Sequence, residues 1–188
     1  MYAIQLDAQA ALGNVFSVGD AGLASVDGAG EAAAADHDAT KPSFILANPA
    51  GSGFDVYLLN LALYQSGTVG GGRIETLCAY DAGLRYSSGG TNFTPTNRLA
   101  GGRGSGMSVK AAIVGTLLVA SAASASVKYF DQRQFHYSVT AITDVQSQTY
   151  DFSGSVCIVP GWAFLFYCRA VTTAAAYHWN LDYYEKAV

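Results

Sequence analysis

Apolar residues in this chain come in short runs, most of them alternating with polar ones, and nearly every run is closed by a cluster of glycine, proline, asparagine or serine. No long stretch repeats at helical spacing. A period near two places successive side chains on opposite faces of an extended strand, and the turn residues mark reversals of the chain. Asp55 to Tyr64 shows the pattern: Val56, Leu58, Asn60, Ala62 and Tyr64 fall on one face, Tyr57, Leu59, Leu61 and Leu63 on the other. Both faces are largely apolar, as expected of a central strand covered on both sides.

Further strands are expected at Ser43 to Ala47, Arg73 to Tyr80, Met107 to Ala120, Val127 to Phe130, Gln134 to Thr143 and Tyr177 to Glu185. A short one within Thr91 to Leu99 is held to an edge by Pro95, which cannot donate to a ladder. Gly154 to Val159 and Trp162 to Thr173, joined by Pro160-Gly161, read as a hairpin. Tyr177, Trp179, Leu181 and Tyr183 give the last strand one aromatic face. Many short strands joined by Gly and Pro turns predict an antiparallel all-β sandwich of jelly-roll type. Residues 42–188 form that domain in this reading. Residues 1–41 form an N-terminal arm and linker, with short β pieces at Tyr2 to Leu6, Asn14 to Val18 and Gly22 to Val26 and a helical turn through Glu31 to Ala35; the arm is expected to need a partner surface to become ordered.

Composition narrows the partners. Charged residues make up only 13% of the chain against 51% hydrophobic, which favours a surface covered by other subunits over a solvated monomer. Ten Lys and Arg and a net charge of −4 leave no basic stripe, so nucleic acid is not expected as a partner. Ala111 to Val127 lacks charge, but Gly115, Thr116, Ser121, Ser124 and Ser126 dilute it, and a buried strand with a small-residue loop explains it better than a membrane span. The first residues lack the cationic and apolar blocks of a secretory signal. Cys78, Cys157 and Cys168 cannot all pair within one chain and have no zinc spacing; free buried thiols and a reducing cytoplasm are expected.

The sequence offers no catalytic, cofactor-binding or metal site. Asp36-His37-Asp38 has ligand character but reads as a solvated turn in a linker. Gly104-Ser105-Gly106 is not a nucleophile elbow, and Gly70-Gly71-Gly72 and Gly101-Gly102-Arg103-Gly104 lack phosphate-loop spacing. Glu75, Asp81 and Glu185 are carboxylates of the kind a glycosidase pairs, with nothing in the sequence to bring them together. Tyr177, Trp179, Tyr183 and Tyr184 would suit a sugar platform or a half-buried strand equally.

The motif order SFILANPAGSG (Ser43 to Gly53), Val56 to Tyr64 running into SGTVGGG, then SVCIVPGWAFLFYCRA (Ser155 to Ala170) and TTAAAYHWNLDYYE (Thr172 to Glu185) resembles small trimeric jelly-roll proteins of tailed-phage structural regions. The resemblance covers about the last three quarters of the chain and has no invariant chemical signature. It implies a non-enzymatic capsid decoration, or cement, protein: a homotrimer, made in the host cytoplasm and seated on the outer capsid surface, that clamps neighbouring major capsid proteins. A receptor- or glycan-binding spike or fibre domain is the alternative it leaves open.

Overall fold

The computed structural model describes residues 2–20, 28–29, 31–32, 37–65, 72–112, 117–120, 127–137, 147–170 and 176–188. Helix α1 (Tyr2–Ala11) leads into β1 (Val15–Gly19), β2 (Gly28–Ala29), β3 (Glu31–Ala32), β4 (Phe44–Ala47), β5 (Phe54–Gln65) and β6 (Gly72–Asp81). Short strands follow: β7 (Tyr86–Ser88), β8 (Thr91–Phe93), β9 (Thr96–Asn97), β10 (Ser108–Ala111) and β11 (Leu118–Val119). Four long ones finish the chain: β12 (Val127–Tyr137), β13 (Ser147–Ile158), β14 (Ala163–Ala170) and β15 (Ala176–Ala187).

Apart from β7 and β11, which pair with each other, these strands make two facing sheets, mostly antiparallel. One runs β13-β5-β15-β1-β9, with β2 added to β15; the other runs β12-β6-β14-β4-β10-β8, with β3 added in parallel to β14. Successive long strands change sheets: β4 to β5, β5 to β6, β12 to β13, β13 to β14 and β14 to β15 each cross the sandwich. The all-β, two-sheet architecture expected from the alternation is what the chain adopts.

Between the sheets lies one aromatic core. Trp179 stacks on Phe44 at 4.8 Å, Phe44 on Phe166 at 5.0 Å and Phe16 on Tyr183 at 5.6 Å. The expected face of β15, Tyr177, Trp179, Leu181 and Tyr183, all points into this core. The second sheet is covered on its far side as well, where Leu117, Val119 and Val127 pack on Ile45, Ala79, Leu165 and Tyr167. That second layer takes up part of the apolar composition, and among the described residues no helix is long and apolar enough to cross a membrane.

Several expectations are corrected. Tyr2 to Leu6 belongs to a helix, because the Ala- and Gln-rich segment has strong helix propensity and little to pack as a strand. Val15–Gly19 is not an arm awaiting a partner: β1 lies between β15 and β9, and Phe16 and Val18 are core residues. Glu31 and Ala32 pair with β14 instead of starting a helical turn, and residues 33–36, like Gly22 to Val26, lie outside the described residues. Met107 to Ala120 is not one strand but β10 and β11, with 113–116 outside the described residues; Val127 to Phe130 and the start of Gln134 to Thr143 join as β12. Pro95 splits Thr91 to Leu99 into β8 and β9, on different sheets.

Two corrections shape the surface. In β5, Asn60 pairs with Asp182 and Leu58 with Tyr183, so Leu59 is an extra, bulged residue. The bulge shifts the alternation by one, sending Val56 and Leu58 but also Leu61 and Leu63 inward and Leu59, Asn60, Ala62 and Tyr64 outward. The Pro160-Gly161 hairpin is the other: β13 pairs with β5 and β14 with β4 and β6, so the turn is an arch from one sheet to the other. Gly161 takes φ +86°, and Asn48 fastens the arch. Its side-chain Nδ2 donates to the carbonyls of Phe54 and Ile158, each at 2.8 Å, while its backbone N–H donates to Trp162 and its carbonyl accepts from Gly161. Asn48→Ala removes both side-chain bonds from the arch and is expected to cost about 1–3 kcal/mol in denaturant titrations.

Burial of tyrosines sets the alkaline limit. Desolvation pushes Tyr150, Tyr167, Tyr177 and Tyr183 well above the ordinary value of 10.0 and, with Cys157 beside it, Tyr57 up to about 12. A raised pKa in the folded state contributes stability that is complete below pH 10 and disappears as pH climbs through the folded values. Absorbance at 295 nm is expected to show the four buried phenols, Tyr150, Tyr167, Tyr177 and Tyr183, ionising only together with loss of the fold, above pH 10.

Candidate interaction surface

Along one side of the sandwich the edge strand of each sheet, β13 and β12, lies beside the other. A sandwich must close such a seam with side chains, since the two ladders do not hydrogen-bond. At one end Arg133 does this: its Nη1 donates to the carbonyl of Thr149 at 2.9 Å and its guanidinium sits 4.1 Å from the centre of the Tyr150 ring. Asp131 grips the same guanidinium at 2.9 Å and raises its pKa further.

Toward the arch the seam is aromatic. Tyr129 pairs with Ala79 and Asp131 with Cys78, leaving Phe130 as a bulged residue aimed into the gap. Its ring lies 5.8 Å from Tyr80, 6.1 Å from Phe152 and 6.2 Å from Phe164, yet it remains 37% exposed. The arch supplies the opposite lip, with Trp162 5.8 Å from Tyr80 and Val159 38% exposed. Together Tyr80, Phe130, Val156, Cys157, Val159 and Trp162 line an open groove of about 600 Å³, and none of the lining residues is charged. An uncharged groove edged by aromatics is chemically suited to apolar side chains of another protein.

Cys157 in this groove corrects the expectation of uniformly buried thiols. It is exposed, while Cys78 and Cys168 are buried and all three are free. Burial pushes all three thiols up, Cys168 to about 12. One thiol per chain is therefore expected to react with a disulfide reagent in the native state, slowly at neutral pH, and three in denaturant.

The residues weighed for chemistry are not gathered into one site. Glu75 pairs with Arg169, Asp81 with Arg85, and Glu185 with Arg103 at 2.6 Å, each within its own part of the fold. Glu75 and Asp81 lie six positions apart on β6, about 20 Å along a strand, and Glu185 is on the other sheet. Ser105 is part of a latch: its hydroxyl bonds Glu185 at 2.5 Å and Tyr183 at 2.7 Å, and Arg103 lies over the rings of Phe16 and Phe54. Asp38 caps a turn, bound by Lys41 at 2.8 Å and by Thr40, contacts that lower its carboxyl from 3.8 to about 2. Asp36 is outside the described residues, and among those described no group of three His, Cys, Asp or Glu is placed to hold a metal ion. Trp179, Tyr177, Tyr183 and Tyr184 are buried, so they form no sugar platform.

No family model, no curated protein and no solved structure matches this chain.

Proposed function

We propose that this protein is a non-enzymatic structural component of a tailed-phage particle, binding the outer capsid surface as a homotrimer and stabilising contacts between major capsid proteins. The observation that carries the reading is the uncharged aromatic groove of about 600 Å³ at the seam, on a chain with only 13% charged residues. Apolar surface of this kind is characteristic of protein interfaces. Beside it, β12 and β13 each have one edge with no strand paired to it among the described residues, and such edges accept strands from a partner. A jelly roll is the finer reading of the sandwich. It is supported by the order of the eight long or central strands, β1-β15-β5-β13 facing β4-β14-β6-β12, which is that of two interleaved antiparallel Greek keys.

The test is reconstitution. Purified protein added to capsids lacking it is expected to bind saturably and to raise their resistance to heat, since a ligand of the assembled shell disfavours its opening. Val159→Lys, which places a charge on the groove lip at an exposed position, is expected to weaken binding at least tenfold with the thermal midpoint of the free protein unchanged. A protein that is monomeric by light scattering and leaves capsids unaltered would remove the proposal.

The alternative, a receptor- or glycan-binding spike, loses the aromatic platform on which it rested, because Trp179 is only 2% exposed.

A further inference from the structure

We infer that the outer face of the β13-β5-β15-β1 sheet carries a binding groove for a neutral saccharide, separate from the seam and independent of the capsid reading.

The strand register builds the groove row by row. One polar row crosses four strands, from Asp151 through Asn60 and Asp182 to Ser17. The next row is low: Thr149 and Asn180 flank Ala62, and Gly19 follows. Asn180 does not fill it, since its amide turns back to Asp182 at 3.2 Å and accepts from Ser17 at 3.1 Å. Gly19 cannot fill it either, because a Cβ there would meet the Trp179 carbonyl at 2.3 Å. The third row is tall again, with Tyr64 opposite His178. Between the tall rows, over β5 and β13 with Arg98 at the rim, lies a trough of about 480 Å³, within the roughly 300–1,000 Å³ usual for small-ligand sites.

Two bulges make this trough. Leu59 shifts β5 so that Asn60, Ala62 and Tyr64 all face outward. Opposite it, β13 leaves its ladder between Asp151 and Val156, with Ser153 at φ +48°, and that excursion raises Asp151 and Ser153 as a wall. A non-glycine residue held at positive φ is uncommon and marks a constrained position.

The polar groups are already fixed. Asp182, buried, accepts from Ser17 at 2.6 Å and from Asn60 Nδ2 at 2.9 Å and pairs with Arg98 at 3.4 Å. It therefore orients the Asn60 amide with its oxygen still an acceptor, and holds Arg98, 55% exposed at its side chain, at the rim as a donor. Asp151 has one carboxylate oxygen bound by the Ser153 N–H and hydroxyl at 2.9 and 2.7 Å, and no partner for the other among the described residues. Tyr64, 46% exposed, offers a ring face and a hydroxyl at the far side. Fixed acceptors, one fork of donors and an aromatic plate across a shallow trough match vicinal hydroxyls on one edge of a sugar ring and the apolar C–H face of the same ring. Two carboxylates against one arginine disfavour acidic sugars.

Ligand-observed saturation-transfer NMR followed by calorimetry tests this with four probes: maltotriose, lactose, mannotriose and chitotriose. At least one is expected to bind saturably. Tyr64→Ala and Asp151→Asn, which keeps an acceptor for Ser153, are expected to weaken it about tenfold or more each while the thermal midpoint holds, whereas Val159→Lys in the seam leaves it unaltered. Absence of saturable binding by all four probes, or binding that survives both groove substitutions, would overturn the inference.

Discussion

Trp179→Ala is expected to lower folding stability by about 3–5 kcal/mol, a large share of the roughly 5–15 kcal/mol typical of a domain. The side chain is 2% exposed, stacked on Phe44 at 4.8 Å and met edge-on by Phe93 at 5.2 Å. Removing the indole leaves a hole between the two sheets that neighbouring rings on strand backbones cannot collapse into. Trp179→Phe keeps most of that contact and removes an indole N–H that has no hydrogen-bond partner, so a smaller loss is expected. Guanidinium titrations followed by far-UV circular dichroism distinguish the two. The Phe variant also leaves Trp162 in the seam as the only tryptophan, so a blue shift of its emission on mixing with capsids would report occupancy of the groove directly.

The second large effect is expected at Arg169. This guanidinium and Glu75 are both almost fully buried on paired positions of β14 and β6, with Gln134 donating to the same carboxylate at 3.0 Å. Arg169→Ala strands a carboxylate in the interior, a change that costs about 3–5 kcal/mol where it has been measured in buried pairs. Removing both charges, as Arg169→Met with Glu75→Leu, is expected to restore most of that loss, because the penalty lies in the unpaired charge more than in the missing attraction. Thermal midpoints of the single and double variants provide the comparison. A double variant as unstable as Arg169→Ala would show that packing of the arginine stem carries the effect.

Alternation was informative where a strand kept its period. The aromatic face of β15 was readable because nothing interrupts its pleat. β5 was readable as a strand but not in its facing beyond Leu58, since a bulge is set by the partners on both sides and leaves no mark in local composition. Pro160-Gly161 was readable as a turn; whether a turn closes a hairpin or crosses a sandwich depends on which strands are already paired, and Asn48, more than a hundred residues earlier, fixes that choice. Phe130 and Tyr64 carried no signal of exposure because aromatics in strands are usually core. Their sites arise from register, a property of strand pairs that no single segment contains.

The placement of β15 has a consequence for biosynthesis. This strand, near the end of the chain, is seated between β5 and β1, and its neighbour β1 is the first strand described. A nascent chain on the ribosome therefore holds β1 and β5 without the strand that joins them until β15 has been made. The aliphatic inner face of β5 and the Phe16 and Val18 face of β1 stay uncovered until then, and folding is dominated by contacts distant in sequence. Chains terminated before Tyr177 lack the strand between β5 and β1, so they would leave both inner faces uncovered and open to proteolysis.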